Sequence, residues 1–237
     1  GLVRQYSLCN EPGEAGRYLI GVLREVESRG GSQAMHERVQ VGDVIEISEP
    51  RNHFPLAHEA RHSLLLAGGI GVTPILCMAR RLATVGASFA MHYCARSRRR
   101  AAFADEIAAA PFADQVRFHF DDEAGGEPID LGALVASPRD GTHLYVCGPK
   151  GFMDAVLSKA RAAGWPEAQL HYEFFQAEVV HSDSDGGFDV ALASTGQVIA
   201  VGKDQTVIQA LKAAGIEVPV SCEQGVCGTC LTRVLEG

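Results

Sequence analysis

Cys222, Cys227 and Cys230 stand in the run Ser221-Cys222-Glu223-Gln224-Gly225-Val226-Cys227-Gly228-Thr229-Cys230, a C-x4-C-x2-C spacing. Three thiols so close in sequence constrain the backbone between them severely. The spacing is that of three of the four thiolates that hold a plant-type [2Fe–2S] centre. Such a loop wraps closely round inorganic sulfurs and turns its amides toward them. Gly225 and Gly228 give the backbone the conformational freedom this requires. A zinc site would bring a second cysteine pair or histidines at matching spacing, and no such second pair exists in the chain. Buried structural cysteines are the remaining alternative. The predicted metal ligands are therefore Cys222, Cys227 and Cys230, with a fourth thiol expected beyond Gly237. The chain opens on Gly1 inside a strand-like run, so both ends read as cut and a fragment of a longer protein is expected.

Length and composition narrow the class. The 237 residues suit one or two domains, or more if they are small. A hydrophobic content of 46% with 21% charged residues is that of a soluble globular protein. No apolar run approaches the ~20 residues of a membrane span, and no signal peptide is visible. The net charge of −8 argues against a nucleic-acid partner. From residue 178 onward eight acids face three bases. That excess suits docking on a basic patch of a partner, and equally suits solubility alone. Cys77, Cys94 and Cys147 sit in apolar contexts, as free thiols do in a reducing compartment; a cytoplasmic location is expected.

Along the chain, residues 5–9, 18–24 and 44–48 read as strands separated by glycine-bearing turns, with a short helix over 32–41. Residues 50–60 carry two prolines and no periodicity, and read as a linker. The pattern then changes. Strands over 63–67, 87–94, 116–121, 142–147 and 171–175 alternate with helices over 74–85, 101–110, 131–135 and 151–163. That alternation predicts a parallel sheet of βαβ units. Residues 176–187 are polar and acidic and read as a connector. Beyond them a hairpin (188–193 with 197–201) and a helix over 206–214, capped by Asp204 or Thr206, lead into the cysteine loop. The expected fold is multidomain: a partial β-barrel over 1–55, a nucleotide-binding α/β domain over 56–176, and an α+β plant-type ferredoxin-like module over 188–237.

Four further segments carry candidate chemistry. Arg4-Gln5-Tyr6-Ser7 offers a cation, a stacking face and a hydroxyl; on a strand Arg4 and Tyr6 share a face, as a flavin and its phosphate require. Arg29-Gly30-Gly31-Ser32 opens a helix and supplies an anion site; an ordinary turn is the alternative for Gly30-Gly31. Gly68-Gly69-Ile70-Gly71-Val72-Thr73-Pro74 follows a strand and opens a helix, the place of a dinucleotide phosphate loop, although Pro74 stands where the usual fingerprint has a third small residue. Thr73 reads as that helix's N-cap and Pro74 as its first residue. Cys147-Gly148-Pro149 ends a strand of the same sheet, with room for a flat ring beside a small thiol. Arg96, in the run Arg96-Ser97-Arg98-Arg99-Arg100, is a candidate for nucleotide phosphate. The nine histidines show no metal-binding spacing and read as surface or packing residues.

Taken in order, these segments resemble the phthalate dioxygenase reductase family, and within it the vanillate O-demethylase reductase type. The resemblance covers essentially the whole chain. It implies FMN held by Arg4, Tyr6 and Ser7, with Arg29 and Ser32 at its phosphate. It implies a nicotinamide nucleotide (NADH, or else NADPH) in a site lined by Gly69, Gly71, Thr73 and Cys147, beside Pro74, Gly148, Pro149 and Arg96 as the candidates read from the segments themselves. Glu173-Phe174-Phe175 is similar to the family's E-x-F and implies Phe175 close to the flavin. Cys147, Ser7 and Phe175 are the expected catalytic positions. The implied activity is electron transfer from NAD(P)H through FMN and a [2Fe–2S] cluster to a Rieske-type terminal oxygenase. A stand-alone flavin reductase or diaphorase, or a non-enzymatic redox-sensing protein, are the alternatives.

Overall fold

His62–Gly68 (β1) and Thr142–Cys147 (β4) are apolar runs, buried along almost their whole length. Strands apolar on both faces belong in the interior of a parallel sheet, where helices cover each side. The computed structural model, which describes residues 3–28, 30–122, 129–175, 186–220, 225 and 229–236, places them there. Phe89–Ala95 (β2), Val116–Phe120 (β3) and Leu170–Glu173 (β5) complete a five-stranded sheet in the order β3-β2-β1-β4-β5. All four pairings are parallel.

Alternation along each strand divides the side chains between two cores. Leu65, Met91, Tyr93 and Tyr145 point to one, against Ile75, Leu76 and Ala79 of the helix Val72–Thr84 (α2). Ile107 of the short helix Ala104–Ala108 (α3) joins them. Leu64, Leu66, Leu144 and Val146 point to the other, against Met153, Val156, Leu157 and Ala160 of the helix Lys150–Ala162 (α5). Leu65 and Leu66 are fully buried on opposite faces, and each contributes about 1.5–3 kcal/mol by leaving water. Trp165 donates its indole N–H to Val135 O at 2.9 Å, pinning the helix Leu131–Val135 (α4) to that second core.

Four of the histidines pack as two pairs. His92 Nδ1 and His119 Nε2 lie 3.0 Å apart with their rings stacked; His143 Nδ1 and His171 Nε2 lie 2.9 Å apart in the same manner. Burial, then the neighbouring His119 and Arg117, lower His92 to about 4. Among the described residues no group of three or more potential ligands could hold a metal ion.

Residues 6–175 form one compact unit. In its first part the only β-pairing among the described residues is the antiparallel bridge Leu8↔Ile20, so the strands expected over 5–9, 18–24 and 44–48 are not formed as ladders. The alternation is present, but Val26, Val41, Val44 and Ile47 are largely exposed, and an extended segment becomes a strand only when another bonds to its edge. The helix expected over 32–41 is shorter, Gly31–Glu37 (α1). Residues 50–60 are not a free linker: Phe54 is buried against the Tyr145 ring, and Ala57 N donates to Tyr145 Oη at 2.8 Å.

The second unit comprises the described residues from 186 onward together with residues 3–5. Phe188–Ala191 (β6) pairs antiparallel with Val198–Val201 (β7), and the helix Val207–Ala213 (α6) follows. Thr206, not Asp204, is its N-cap. The Thr206 hydroxyl accepts from Gln209 N at 3.2 Å while Gln209 Oε1 accepts from Thr206 N at 2.8 Å, the reciprocal capping arrangement. Ile199, Val201, Ala210 and Leu211 form its small core. No helix among the described residues is long and apolar enough to cross a membrane.

Candidate functional site

The chain order of the sheet reverses between β1 and β4, and ligands of open α/β sheets bind at the strand C-termini beside such a reversal. The structure builds that place almost wholly from backbone. β1 ends in Gly68 and a tight turn, Gly69–Gly71. A Cβ on Gly71 would lie within 3.0 Å of the Cys147 carbonyl and the Gly148 amide, and one on Gly148 would lie 2.9 Å from Gly68 Cα. Two loops from adjacent parallel strands thus touch main chain to main chain. Gly69 adopts φ +51 with open space about it, a left-handed position that favours glycine. Pro149 caps α5, and its ring lies close to Gly68.

α2 starts two residues earlier than the sequence suggests. Gly71 is its N-cap, and no side chain caps it. Thr73 is already helical and buried, its hydroxyl donating to Ile70 O at 3.1 Å. Pro74 is therefore the third helical residue, not the first. It is tolerated because the first turn's amides have no intrahelical acceptor in any case.

At the mouth of this crevice Cys147 on β4 stands in register with Glu173 on β5. The Ser7 hydroxyl donates to Glu173 Oε2 at 3.3 Å. The three groups named from separate parts of the sequence, Ser7, Cys147 and the E-x-F glutamate, are brought together. Burial, reinforced by the Glu173 carboxylate, pushes the Cys147 thiol well above the usual cysteine range, so it stays a neutral thiol and not a nucleophile. Burial likewise raises Glu173, with the Ser7 hydrogen bond and the charge of His53 pulling the other way. Glu173 was legible only as part of a motif. The signal for its role is positional, since the last residue of β5 shares a face with the last residue of β4.

A raised carboxyl means that folding favours the protonated form. The associated stability is complete below the unfolded value of 4.5 and is lost as pH rises through the folded value. Glu173→Gln is thus expected to melt increasingly above the unaltered protein as pH rises from 4.5, and thermal melts across that range check it. A constant difference at all pH values would remove the buried charge from the account.

The other predicted residues are placed less closely together. Tyr6 is half-buried in the same unit as Ser7, whereas Arg4 belongs with the second unit and donates to Val3 O at 2.7 Å. Gly30 caps α1 at φ +87 and Gly31 is buried behind it. The Ser28 hydroxyl accepts from Gly30 N at 3.1 Å and lies 3.0 Å from the Ser32 hydroxyl, which in turn accepts from Glu25 N. Arg96 is exposed just past β2. Its neighbour Arg98 is held by Asp105 at 2.9 Å and lies over the Phe118 ring. Phe175 ends the first unit, about one-third exposed. Arg29, Cys222 and Cys227 lie outside the described residues. Cys230 is half-buried in a turn, and its carbonyl accepts from the Thr232 hydroxyl at 3.1 Å.

These donors fit the groups the sequence implies. A flat nicotinamide ring needs a site where backbone replaces side chains, which is what Gly68, Gly71 and Gly148 provide. The C-x4-C-x2-C thiols are the chemistry of iron–sulfur ligation.

Comparison with known proteins agrees. Residues 190–237 match the 2Fe-2S iron-sulfur cluster binding domain, and residues 47–170 match the dimethylamine monooxygenase subunit DmmA-like N-terminal domain. The chain is 56% identical over its whole length to a vanillate O-demethylase oxidoreductase of Pseudomonas sp. (strain HR199 / DSM 7063), of which it covers 75%. It is 45% identical to a tert-butanol monooxygenase / tert-amyl alcohol desaturase reductase subunit of Aquincola tertiaricarbonis, again over the whole chain and 73% of that protein. Phthalate dioxygenase reductase, described as a modular structure for electron transfer from pyridine nucleotides to [2Fe-2S], superposes with a TM-score of 0.76 at 36% identity, over 96% of this chain and 70% of that one. Whole-length identity to one reductase and the shared fold of another lead to one conclusion: the chain is an oxidoreductase and belongs to the phthalate dioxygenase reductase family.

Proposed function

We propose that this chain takes electrons from NADH, passes them through FMN and a [2Fe–2S] cluster, and delivers them to a Rieske-type terminal oxygenase. The observation that carries this reading is the backbone crevice at the β1/β4 reversal, with Ser7, Glu173 and Cys147 at its mouth. When bound, the flavin supplies the step from a two-electron hydride donor to a one-electron centre.

The chain's own residues bind, orient and exclude. Gly71 and Gly148 keep side chains out of the space for the nicotinamide ring; Gly69 and the start of α2, with Thr73 and Pro74, receive the nucleotide's phosphates. Cys147 bounds the ring site as a small, neutral, water-excluding thiol. Ser7 donates its hydroxyl proton toward Glu173, whose carboxyl, held toward its protonated form, is a proton store beside the reacting centre. Tyr6 and Ser7 hold the flavin, Arg4 supplies a cation, and Arg29 to Ser32 take its phosphate. Phe175 covers the flavin, and Arg96 meets the nucleotide at its adenosine end. Cys222, Cys227 and Cys230 ligate the cluster. The working division is 1–55 for flavin, 56–176 for nucleotide and 188–237 for the cluster, in a cytoplasmic protein without membrane or nucleic-acid contacts.

The test is to purify the tagged full-length protein from its native cells with whatever it binds. The expected partner carries a Rieske centre, recognisable by its EPR signal, and consumes oxygen with NADH only when this protein is present. The flavin released by heat is expected to be FMN. A haem monooxygenase as partner, or FAD as the flavin, would overturn the corresponding part. NADH-driven reduction of free flavin with no oxygenase bound would establish the stand-alone reductase instead.

A further inference from the structure

Hydride transfer is steep in distance, because reacting atoms need to approach to about 3–3.5 Å. On the reading above, the flavin is held by the segment around residues 6–7 and the nicotinamide by the loops at Gly69–Gly71 and Cys147. Different parts of the chain thus hold the two reactants, and something has to fix the gap between them.

The segment from Tyr6 to Gly21 is a folded-back pair of arms. Cys9 N donates to Leu19 O at 2.8 Å, and Asn10 Oδ1 accepts from Leu19 N at 3.0 Å. Besides the Ser7–Glu173 bond, each arm is gripped from α2 or its neighbour α3. Arg80, on α2, donates through Nη1 to Cys9 O at 2.7 Å and also pairs with Glu106 of α3. On the other arm Gly21 lies flat against Thr73 and Phe103; a Cβ there would lie 2.9 Å from Thr73 Cγ2 and 3.0 Å from Phe103 Cε2. Thr73 and Arg80 are seven residues apart on α2 and therefore share a face. That face begins at the Gly-rich nucleotide loop.

Phe103 marks this contact independently. It sits at φ 62, ψ 10, and is the only non-glycine among the described residues with positive φ. A bulky residue in that region is strained, and it persists where the surroundings hold it. Here Phe103 joins the core that contains Cys9 and α2 while its ring meets the Gly21 position. The adjoining Ala102 carbonyl accepts from the Tyr93 hydroxyl at 3.2 Å.

We propose that Arg80, Phe103 and Gly21 are positioning residues for hydride transfer, a two-point seat that holds the flavin-bearing arms on α2 and sets the flavin-to-nicotinamide gap. The inference rests on the function proposed above. Gly21→Ala pushes the arm off its seat without removing any cofactor contact. Phe103→Leu in the same chain removes the aromatic side of that contact and gives the arm room to shift away from Thr73.

The experiment is stopped-flow bleaching of the FMN-loaded full-length protein by NADH and by NADH deuterated at the transferred position. Gly21→Ala is expected to lower the limiting rate about 10- to 100-fold, the loss that follows from a displacement of up to 1 Å. The half-saturating NADH concentration and the amplitude stay unchanged, and the primary isotope effect is fully expressed. The double variant Gly21→Ala/Phe103→Leu recovers part of the rate, since the Thr73 contact stays. Arg80→Met is expected to show the same slowing, and Arg80→Lys, which keeps a donor, less of it. An unchanged limiting rate, a loss of amplitude through lost flavin, or a slowing that the double variant does not relieve would each overturn the seat. Failure of the underlying reading is seen separately, in the unaltered protein: NADH would not bleach the flavin, or would do so without an isotope effect.

Discussion

Gly71→Ala is expected to abolish NADH-driven flavin reduction while leaving reduction by dithionite intact. A Cβ at this position meets the Cys147 carbonyl and the Gly148 amide, and these are main-chain atoms at the end of a buried strand. No rotamer change relieves the contact; β1 and β4 must part at the end where we propose that the nucleotide binds. Over-packing of this kind costs about 1–3 kcal/mol, occasionally more. In a unit of this size that lowers the melting temperature by about 2–4 °C per kcal/mol. The functional loss is larger than the stability loss, because a 1 Å misplacement of reactants costs about 100-fold in rate. Gly69→Ala is the control. It has open space and only the left-handed φ to resist it, so about 1–2 kcal/mol of strain is expected, with the crevice still closed. Thermal melts and stopped-flow bleaching of the two variants side by side decide the matter. Equal effects at 69 and 71 would mean that the backbone contact is incidental.

Cys227→Ser in the native full-length protein is expected to remove the visible absorbance of the cluster and cut NADH-dependent cytochrome c reduction by more than about 100-fold, beyond the 10- to 100-fold that loss of a mere outer-sphere partner costs. Reduction of ferricyanide, which accepts electrons from the flavin directly, should persist. A hydroxyl is a poor substitute for a thiolate on iron, and each iron needs its full ligand set. Retention of the cluster signal would exclude Cys227 from the ligands, and loss of both acceptor activities would indicate a collapse reaching the flavin.

The nucleotide domain was the most legible part of the sequence. Its strands are continuous apolar runs, its helices carry one buried stripe, and both are local signals; α4 and β4 fall where the pattern places them, at Leu131–Val135 and Thr142–Cys147. The first 55 residues were not legible in the same way. Alternation shows which residues suit a pleat, but pairing depends on a partner remote in sequence, and Leu8↔Ile20 is the bridge formed. The same distinction runs through the site. Gly71 and Cys147 stand in recognisable motifs. Arg80 and Phe103 are ordinary residues in a helix and a turn, and what singles them out is a carbonyl at Cys9 and a missing side chain at Gly21. Glu173 lies between these cases: its motif was visible, but its partners Ser7 and Cys147 required the register of β4 with β5.

A crevice floored by main chain has a further property. Its shape does not depend on which side chains drift elsewhere in the protein, so the geometry of the site proposed for the nicotinamide is insulated from sequence change at a distance. Variation is blocked at Gly68, Gly71 and Gly148 by the close approach of the two loops. Attempts to change nucleotide preference by mutation should therefore leave those glycines alone and diversify the turn after β2 at Arg96, which is exposed at the same end of the sheet.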